Sequence, residues 1–315
     1  MNSKQKKQVH FYFGPHHEPS QIRFYEGRLR PEARVLLLEG YEGTHFTQKS
    51  HERAKERMLA LKKEKGGSFD RFWESNLRFV DGALKREIEI EYGDFLPLQK
   101  RKRLTVERQK WRKLSWRFIM APTLERYKTA VKQEARMQRM RHEVIKEKIR
   151  DAVAQGKNVD VRYGSAHSLL SAELRREGIE SSRRMENTVF PWSAIVMRKL
   201  LTGKIPTRED YLRGGISTLL GAFGYEKLVL QALYGDQLTR EKQYNTVSLL
   251  ETTLLNSLTS TQLEDIFMHQ KVREVFTLNG LPSPDFKGQI VFREAAKAFL
   301  KAKLGPTIYR KFVVL

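Results

Sequence analysis

Two short motifs of the pattern Gly-x-x-His stand directly after apolar segments of this chain. The first runs from Gly14 to His17, and the second, much later in the chain, runs from Gly164 to His167. Glu39 ends a third apolar segment. Imidazole nitrogens and carboxylate oxygens are common ligands of zinc and related divalent ions, and a set of two histidines and one carboxylate leaves coordination positions open for catalysis. The residue types therefore predict a metal site, provided that the fold brings the three segments together.

The elements that must position these residues are strands of a largely parallel sheet. Residues 34–39 form a continuous apolar run between a proline and a glycine, which is typical of a parallel strand buried on both faces. In an open α/β sheet the carboxyl ends of parallel strands meet at one edge, where ligands bind. A glycine at such an end lets the chain turn sharply as it leaves the sheet. We therefore expect His17, Glu39 and His167 to lie at one edge.

Helical patterns dominate the rest of the chain. We predict an α/β domain over residues 8–188, with a mostly parallel sheet and a long basic helical insertion over about 97–156. Residues 189–315 contain a series of helical segments without any strand pattern, so we expect an all-helical C-terminal region. Residues 1–7 are polar and basic and are expected to form a disordered tail.

The composition excludes several classes of site. None of the 315 residues is a cysteine, so the chain has no disulfide, thiolate zinc site, iron–sulfur cluster or cysteine nucleophile. It also lacks a phosphate-binding glycine loop, a dinucleotide fingerprint and a G-x-S-x-G elbow. No segment has the ~20 apolar residues of a membrane span, and we expect a cytoplasmic protein. The net charge of +22 attracts polyanions but identifies no partner.

The order of the motifs resembles the Tiki/TraB superfamily of α/β proteins, whose relatives include the erythromycin esterases and the ChaN-like haem-binding lipoproteins. The shared features are two Gly-x-x-His motifs after strands, an apolar strand ending in Glu39, and a long helical insertion before the second motif. Arg136 and Met140 match the family's R-x-x-x-M spacing, and residues 169–178 match its leucine-rich helix ending in glycine. The resemblance covers roughly residues 8–185.

The resemblance implies a metal-dependent hydrolase, a peptidase or an esterase, that acts on an amide or ester bond. It implies that His17, Glu39 and His167 bind a divalent ion such as manganese, cobalt or zinc and take part in catalysis. It also implies that Arg136 binds a carboxylate or orients Glu39.

Secondary candidates for an additional ligand or a general base are His16, His45 and Glu42, which lie close to the motif residues in sequence. A further possibility on the same fold is a haem-binding protein without hydrolytic activity. In that case His16, His17 and His45 are the candidate ligands.

An alternative function follows from the basic insertion. Residues 97–150 contain 18 Lys and Arg against 5 Glu, which is +13 of the total charge. Interleaved basic and aromatic residues serve nucleic-acid binding in other proteins. The candidate contacts to nucleic acid or another polyanion are Lys100, Arg101, Lys102, Arg103, Trp111, Arg112 and Trp116. The other interpretation is a helix whose long basic side chains extend over a small apolar face, since no RNA-binding motif is present.

Overall fold

The structure is a computed structural model that describes residues 8–14, 29–39, 46–64, 80–93, 98–164, 167–185, 189–235, 241–284 and 289–312. The chain divides into two compact units. The first is drawn from residues 1–103 and 140–188, and the second from residues 104–139 and 189–315. The central part of the basic insertion thus belongs to the helical unit, although the sequence assigns it to the α/β domain.

The first unit is built on a five-stranded parallel sheet. The strands are β1 (Val9–Gly14), β2 (Val35–Leu38), β3 (Glu89–Tyr92), β4 (Val159–Gly164) and β5 (Ser181–Met185), in the order β3-β2-β4-β1-β5. All six residues of β4 and all four of β2 are buried. Burial on both faces accounts for the entirely apolar side chains of β2. The α/β fold with a helical C-terminal region is therefore confirmed.

Apolar clusters cover both faces of this sheet. The helices are α1 (Gln48–Glu64), α2 (Leu98–Met120), α3 (Leu124–Ala154) and α4 (Leu170–Arg176), and the division into units falls within α2 and α3. One face of the sheet buries Phe11 and Phe13 against Ile145 and Ile149 of α3. Leu170 and Leu174 of α4 join the same cluster. Tyr12 of β1 and Leu36 and Leu38 of β2 lie in a second cluster on the other face.

Among its described residues, the second unit contains helices and no strands. Its helices after residue 189 are α5 (Trp192–Leu201), α6 (Arg208–Ala222), α7 (Tyr225–Tyr234), α8 (Glu241–Asn256), α9 (Ser260–Met268), α10 (Glu274–Thr277) and α11 (Gln289–Phe312). These helices share one apolar core, which also contains Phe118, Tyr127 and Val131 from the basic insertion. A Cβ at Gly215 would lie 2.4 Å from the Phe267 ring, so α6 and α9 approach closely at this glycine.

Asp160, in the middle strand β4, is fully buried, and Arg30 neutralises it. The Arg30 Nε lies 2.7 Å from the Asp160 Oδ1, and the Arg30 backbone N–H donates to Oδ2 at 3.0 Å. Burial raises the pKa of Asp160 despite this pairing. Because an unpaired buried charge is costly, Arg30 and Asp160 depend on each other.

We expect Asp160→Ala to destabilise the first unit by about 3 kcal/mol, because it leaves the Arg30 guanidinium without its carboxylate. Hydrogen exchange of the β1 and β4 amides, followed by mass spectrometry, measures this loss. Glu89→Ala is the matched control, since Glu89 forms a solvent-exposed pair with Lys157 on the same sheet and should cost less than about 1 kcal/mol. Equal effects of the two substitutions would contradict the mutual dependence of Arg30 and Asp160.

Candidate active site

The ends of three neighbouring strands form the carboxyl edge of the sheet. Gly14 and Gly164 are paired in register at the ends of β1 and β4, so the first residues of the two Gly-x-x-His motifs lie side by side. Glu39 directly follows β2, and its backbone N–H donates to the carbonyl of Arg162 in β4. Parallel pairing therefore places Glu39 beside the end of β4, as the sequence predicts.

The Glu39 carboxylate contacts three described residues of the first unit. Its Oε2 accepts a hydrogen bond from the backbone N–H of Gly164 at 2.8 Å. Its Oε1 accepts one from an Nη of Arg141 at 3.2 Å. The same Oε1 lies 3.3 Å from the Nε2 of His167. Two of the three residues predicted as metal ligands, Glu39 and His167, are thus in contact.

His167 is held in place from several sides. Only 4% of its side chain is exposed, and its ring meets the Tyr163 ring edge-on at 5.3 Å. A Cβ at Gly93 would lie 2.1 Å from the Tyr163 hydroxyl, so the glycine at the end of β3 makes room for this tyrosine. Burial lowers the pKa of His167, against the opposing effect of Glu39.

A second histidine, His142 of α3, continues the contacts away from Glu39. Its Nε2 lies 3.2 Å from the Nδ1 of His167, and its Nδ1 lies 3.3 Å from the Oε1 of Glu173 in α4. Lys146, also buried, lies 3.6 Å from Glu173 and 3.0 Å from Glu177. Burial acts to raise the pKa of Glu173, but the contacts with His142 and Lys146 outweigh it and lower the pKa.

Glu39, His167, His142 and Glu173 form a row with three contacts. Each contact requires one proton, yet two neutral imidazoles carry only two. The ionised Glu173 accepts from the Nδ1–H of His142, which leaves the His142 Nε2 as an acceptor. His167 then donates from Nδ1, and its Nε2 lone pair faces the Glu39 carboxylate. Although Arg141 also donates to this oxygen, an additional proton or a metal cation would complete the contact between Nε2 and Oε1.

Arg136, which the sequence assigns to the site, lies in another environment. Its Nε is 3.6 Å from Glu107 within the second unit, and its side chain is 58% exposed. The arginine in contact with Glu39 is Arg141, five residues later on α3. Five residues turn a helix by about 140° beyond a full turn, so the two side chains leave α3 in different directions.

Four of the candidates cannot be placed. His16, His17, Glu42 and His45 lie outside the described residues, as does the predicted tail over residues 1–7. Within the part of the chain that the structure describes, no group of three or more His, Asp or Glu side chains is arranged to hold a metal ion. Two of the three predicted ligands, Glu39 and His167, are thus in contact, and the third, His17, is among the unplaced residues.

Arg141, His142 and Glu173 are not among the site residues that the sequence predicts. His142 carries a detectable signal, because it stands three and seven residues before Ile145 and Ile149 on the buried face of α3. A histidine in the apolar stripe of a helix requires a polar partner, which here is His167. Glu173 similarly lies between Leu170 and Leu174, both buried on α4.

The predicted nucleic-acid residues of α2 fall into two groups. Lys100 pairs with Glu147, Arg101 is half-buried, and Trp111 is a half-buried hydrogen-bond donor to Glu134. In contrast, Lys102, Arg103, Arg112 and Trp116 are exposed, Trp116 by 63%. The first group is therefore half-buried or, for the exposed Lys100, paired with a carboxylate, whereas all four members of the second group are exposed.

Comparison with known proteins found no matching family model, no similar curated protein and no similar solved structure. Among the described residues, no helix combines the length and the apolar character required to cross a membrane.

We expect Glu173→Gln to reverse the polarity of the histidine row. The new amide N–H₂ can donate to the Nδ1 of His142, so that both imidazoles carry their proton on Nε2 and His167 donates to Glu39. In the chelator-treated wild type, both should carry it on Nδ1. Long-range ¹H–¹⁵N correlation spectra distinguish these states.

Glu177→Gln is the control for this reversal, because it removes the same charge from the same Lys146 cluster without touching His142. Its spectrum should match that of the wild type. A doubly protonated His142 in the wild type at neutral pH would instead mean that the additional positive group is a proton, and the assignment of a free Nε2 on His167 would be wrong.

Proposed function

We propose that this protein is a metal-assisted hydrolase of an amide or ester bond. One observation carries the proposal: at the carboxyl edge of a parallel sheet, the Nε2 of His167 faces the Oε1 of Glu39 at 3.3 Å. When both imidazoles are neutral and His142 donates to Glu173, this nitrogen carries no proton. Two electron-rich atoms at this separation favour a cation between them.

The donor atoms fit a divalent ion. Ligand atoms about 2.1 Å from zinc, at angles of roughly 100°, lie about 3.2 Å apart, close to the distance between Nε2 and Oε1. One imidazole and one carboxylate suit the borderline ions zinc, cobalt and manganese. His17 is our proposed third ligand, because it follows Gly14 by the same three residues that separate His167 from Gly164.

A divalent ion in this position supplies Lewis acidity toward a carbonyl oxygen and lowers the pKa of a bound water. The chain supplies the positioning. Arg141 and the Gly164 N–H hold the two oxygens of Glu39, while His142 and Glu173 hold the tautomer of His167. Such contacts behind a metal ligand typically contribute 10- to 100-fold in affinity or activity.

The proposed substrate is a peptide or an ester, consistent with the resemblance to the Tiki/TraB superfamily. The site lies where α/β enzymes bind their ligands, and Glu39 is 22% exposed whereas His167 is almost fully buried. A substrate therefore reaches the site from the Glu39 side, and His167 serves as a ligand rather than as a mobile proton carrier.

The test is the metal content of protein purified without chelator and then offered manganese, cobalt or zinc. We expect about one ion per chain for the wild type, and at least tenfold weaker binding for Glu39→Gln and for His167→Gln, because each removes a ligand. His17→Ala should weaken binding similarly. His269→Gln, which changes an exposed histidine of the second unit, should bind like the wild type.

The loaded protein is then screened on peptide and ester substrates. Glu39→Gln and His167→Gln should abolish turnover while the far-UV circular dichroism stays unchanged. Failure of the wild type to bind any of the three ions, or equal binding by both ligand variants, would refute the metal site. A bound metal without hydrolysis of any substrate would refute the proposed hydrolase activity but not the proposed metal site.

A further inference from the structure

An exposed face of α2 within the second unit combines cations with an indole. We call it the basic–indole face and define it as Gln109, Arg112, Lys113, Trp116, Arg117 and Met120. All six are exposed, with Trp116 and Met120 at 63% and 64%. The opposite side of α2 provides Leu104, Glu107 and Phe118 to the interior. The face is therefore not needed for packing of the helix.

Each carboxylate of this part of the unit has a partner outside the basic–indole face. Residues 104–139 contain ten Lys and Arg but only three acidic residues, Glu107, Glu125 and Glu134. Glu107 is buried and hydrogen-bonds to Gln133. Glu125 lies 2.6 Å from Lys128, and burial raises the pKa of Glu134 to about 7.

The cations of the basic–indole face thus have no carboxylate partner among the described residues. Arg112, Lys113 and Arg117 take part in none of the ion pairs found in the described part of the chain. Arg126, at the start of α3, adds a fourth exposed cation near the end of α2, since its Nη donates to the carbonyl of Ala121 at 2.7 Å. A compact positive surface results.

The position of Trp116 relative to these cations suits a stacked base. Arg112 and Lys113 precede it by four and three residues, so they lie on the neighbouring turn of the same side of α2. Helical side chains lean toward the N-terminus, which brings the indole over that turn. An exposed aromatic ring beside backbone-binding cations is the arrangement that proteins use to bind single-stranded nucleic acid.

We propose that the basic–indole face binds single-stranded nucleic acid, with phosphates on Arg112, Lys113 and Arg117 and a base stacked on Trp116. A membrane surface is disfavoured, because interfacial helices separate an apolar face from a cationic one, whereas here the cations and the indole share one face. The proposal does not rest on the hydrolase site, because it uses none of the residues assigned there.

The experiment measures binding of the full-length protein to a fluorescein-labelled 20-nucleotide poly-uridine by fluorescence anisotropy over a range of salt concentrations. We expect Trp116→Ala to weaken binding roughly 5- to 100-fold without changing the salt dependence, and Trp116→Phe to retain most of the affinity. Arg112→Ala/Lys113→Ala should weaken binding and reduce the salt slope by about 1.4, because two phosphate contacts are lost.

Lys301→Ala/Arg310→Ala is the charge-matched control, since it removes two exposed cations from α11 of the same unit. It should change the affinity less than twofold. Equal losses in the two double variants would show that only the net charge matters, and wild-type binding by Trp116→Ala would exclude stacking.

Vesicles of phosphatidylserine and phosphatidylcholine test the membrane alternative. Vesicle binding that depends on Trp116, without poly-uridine binding, would overturn the proposal in favour of a lipid surface. Poly-uridine binding that depends on Trp116 and on the Arg112–Lys113 pair supports it.

Discussion

The hydrogen bond from the Gly164 N–H to Glu39 depends on where two paired strands end. Leu38 of β2 lies opposite Arg162 of β4, so the residue after β2 lies beside the last residues of β4. A slip of one residue would turn every side chain of β2 to the other face of the sheet. Glu39 would then lose both the backbone donor and His167. The register of the parallel sheet therefore positions the carboxylate, and the core that maintains the register maintains the site.

The second half of α3 serves both the core and the site. Ile145 and Ile149 pack on the sheet, and one turn earlier the same buried stripe carries His142. Buried polar groups must be hydrogen-bonded, and here one set of contacts satisfies His142, Glu173 and Lys146 together. The exception is the contact between His167 and Glu39, which has no proton available when both imidazoles are neutral. With His142 donating to Glu173, the missing proton of this row falls at the contact with Glu39.

Much of this arrangement can be predicted from the sequence, because strand ends carry a recognisable pattern. The apolar runs before Gly14, Glu39 and Gly164 predict parallel strands, and parallel strands end at a common edge, so the contact between Glu39 and His167 follows. The placement of Arg136 does not follow in the same way. The same four-residue step also leads from Arg141 to Ile145, and only the position of the buried stripe on α3 decides which arginine faces Glu39.

The sequence does not predict the remaining site residues, because their contacts depend on how distant elements pack. His142 and Glu173 are distant in sequence from Glu39 and belong to helices whose packing partners the local pattern does not specify. The same limitation applies to residues 104–139, whose apolar side chains fit either unit by periodicity alone but pack with the C-terminal helices. Periodicity identifies which side of a helix is buried, whereas the surface against which it is buried depends on the whole chain.

The cations behind the net charge of +22 are of two kinds. Some pair with carboxylates within the fold, and others are exposed and can contact a partner. In the first unit, Lys146 and Arg150 both contact Glu177, and Arg30 neutralises a buried aspartate. These cations are part of the fold, because removing them would leave buried or partly buried carboxylates unpaired. On the exposed face of α2 the cations are instead adjacent to an indole and have no ion-pair partner among the described residues. A charge count over the sequence sums both kinds, so the partner of a basic protein has to be inferred from cations that the fold itself does not use.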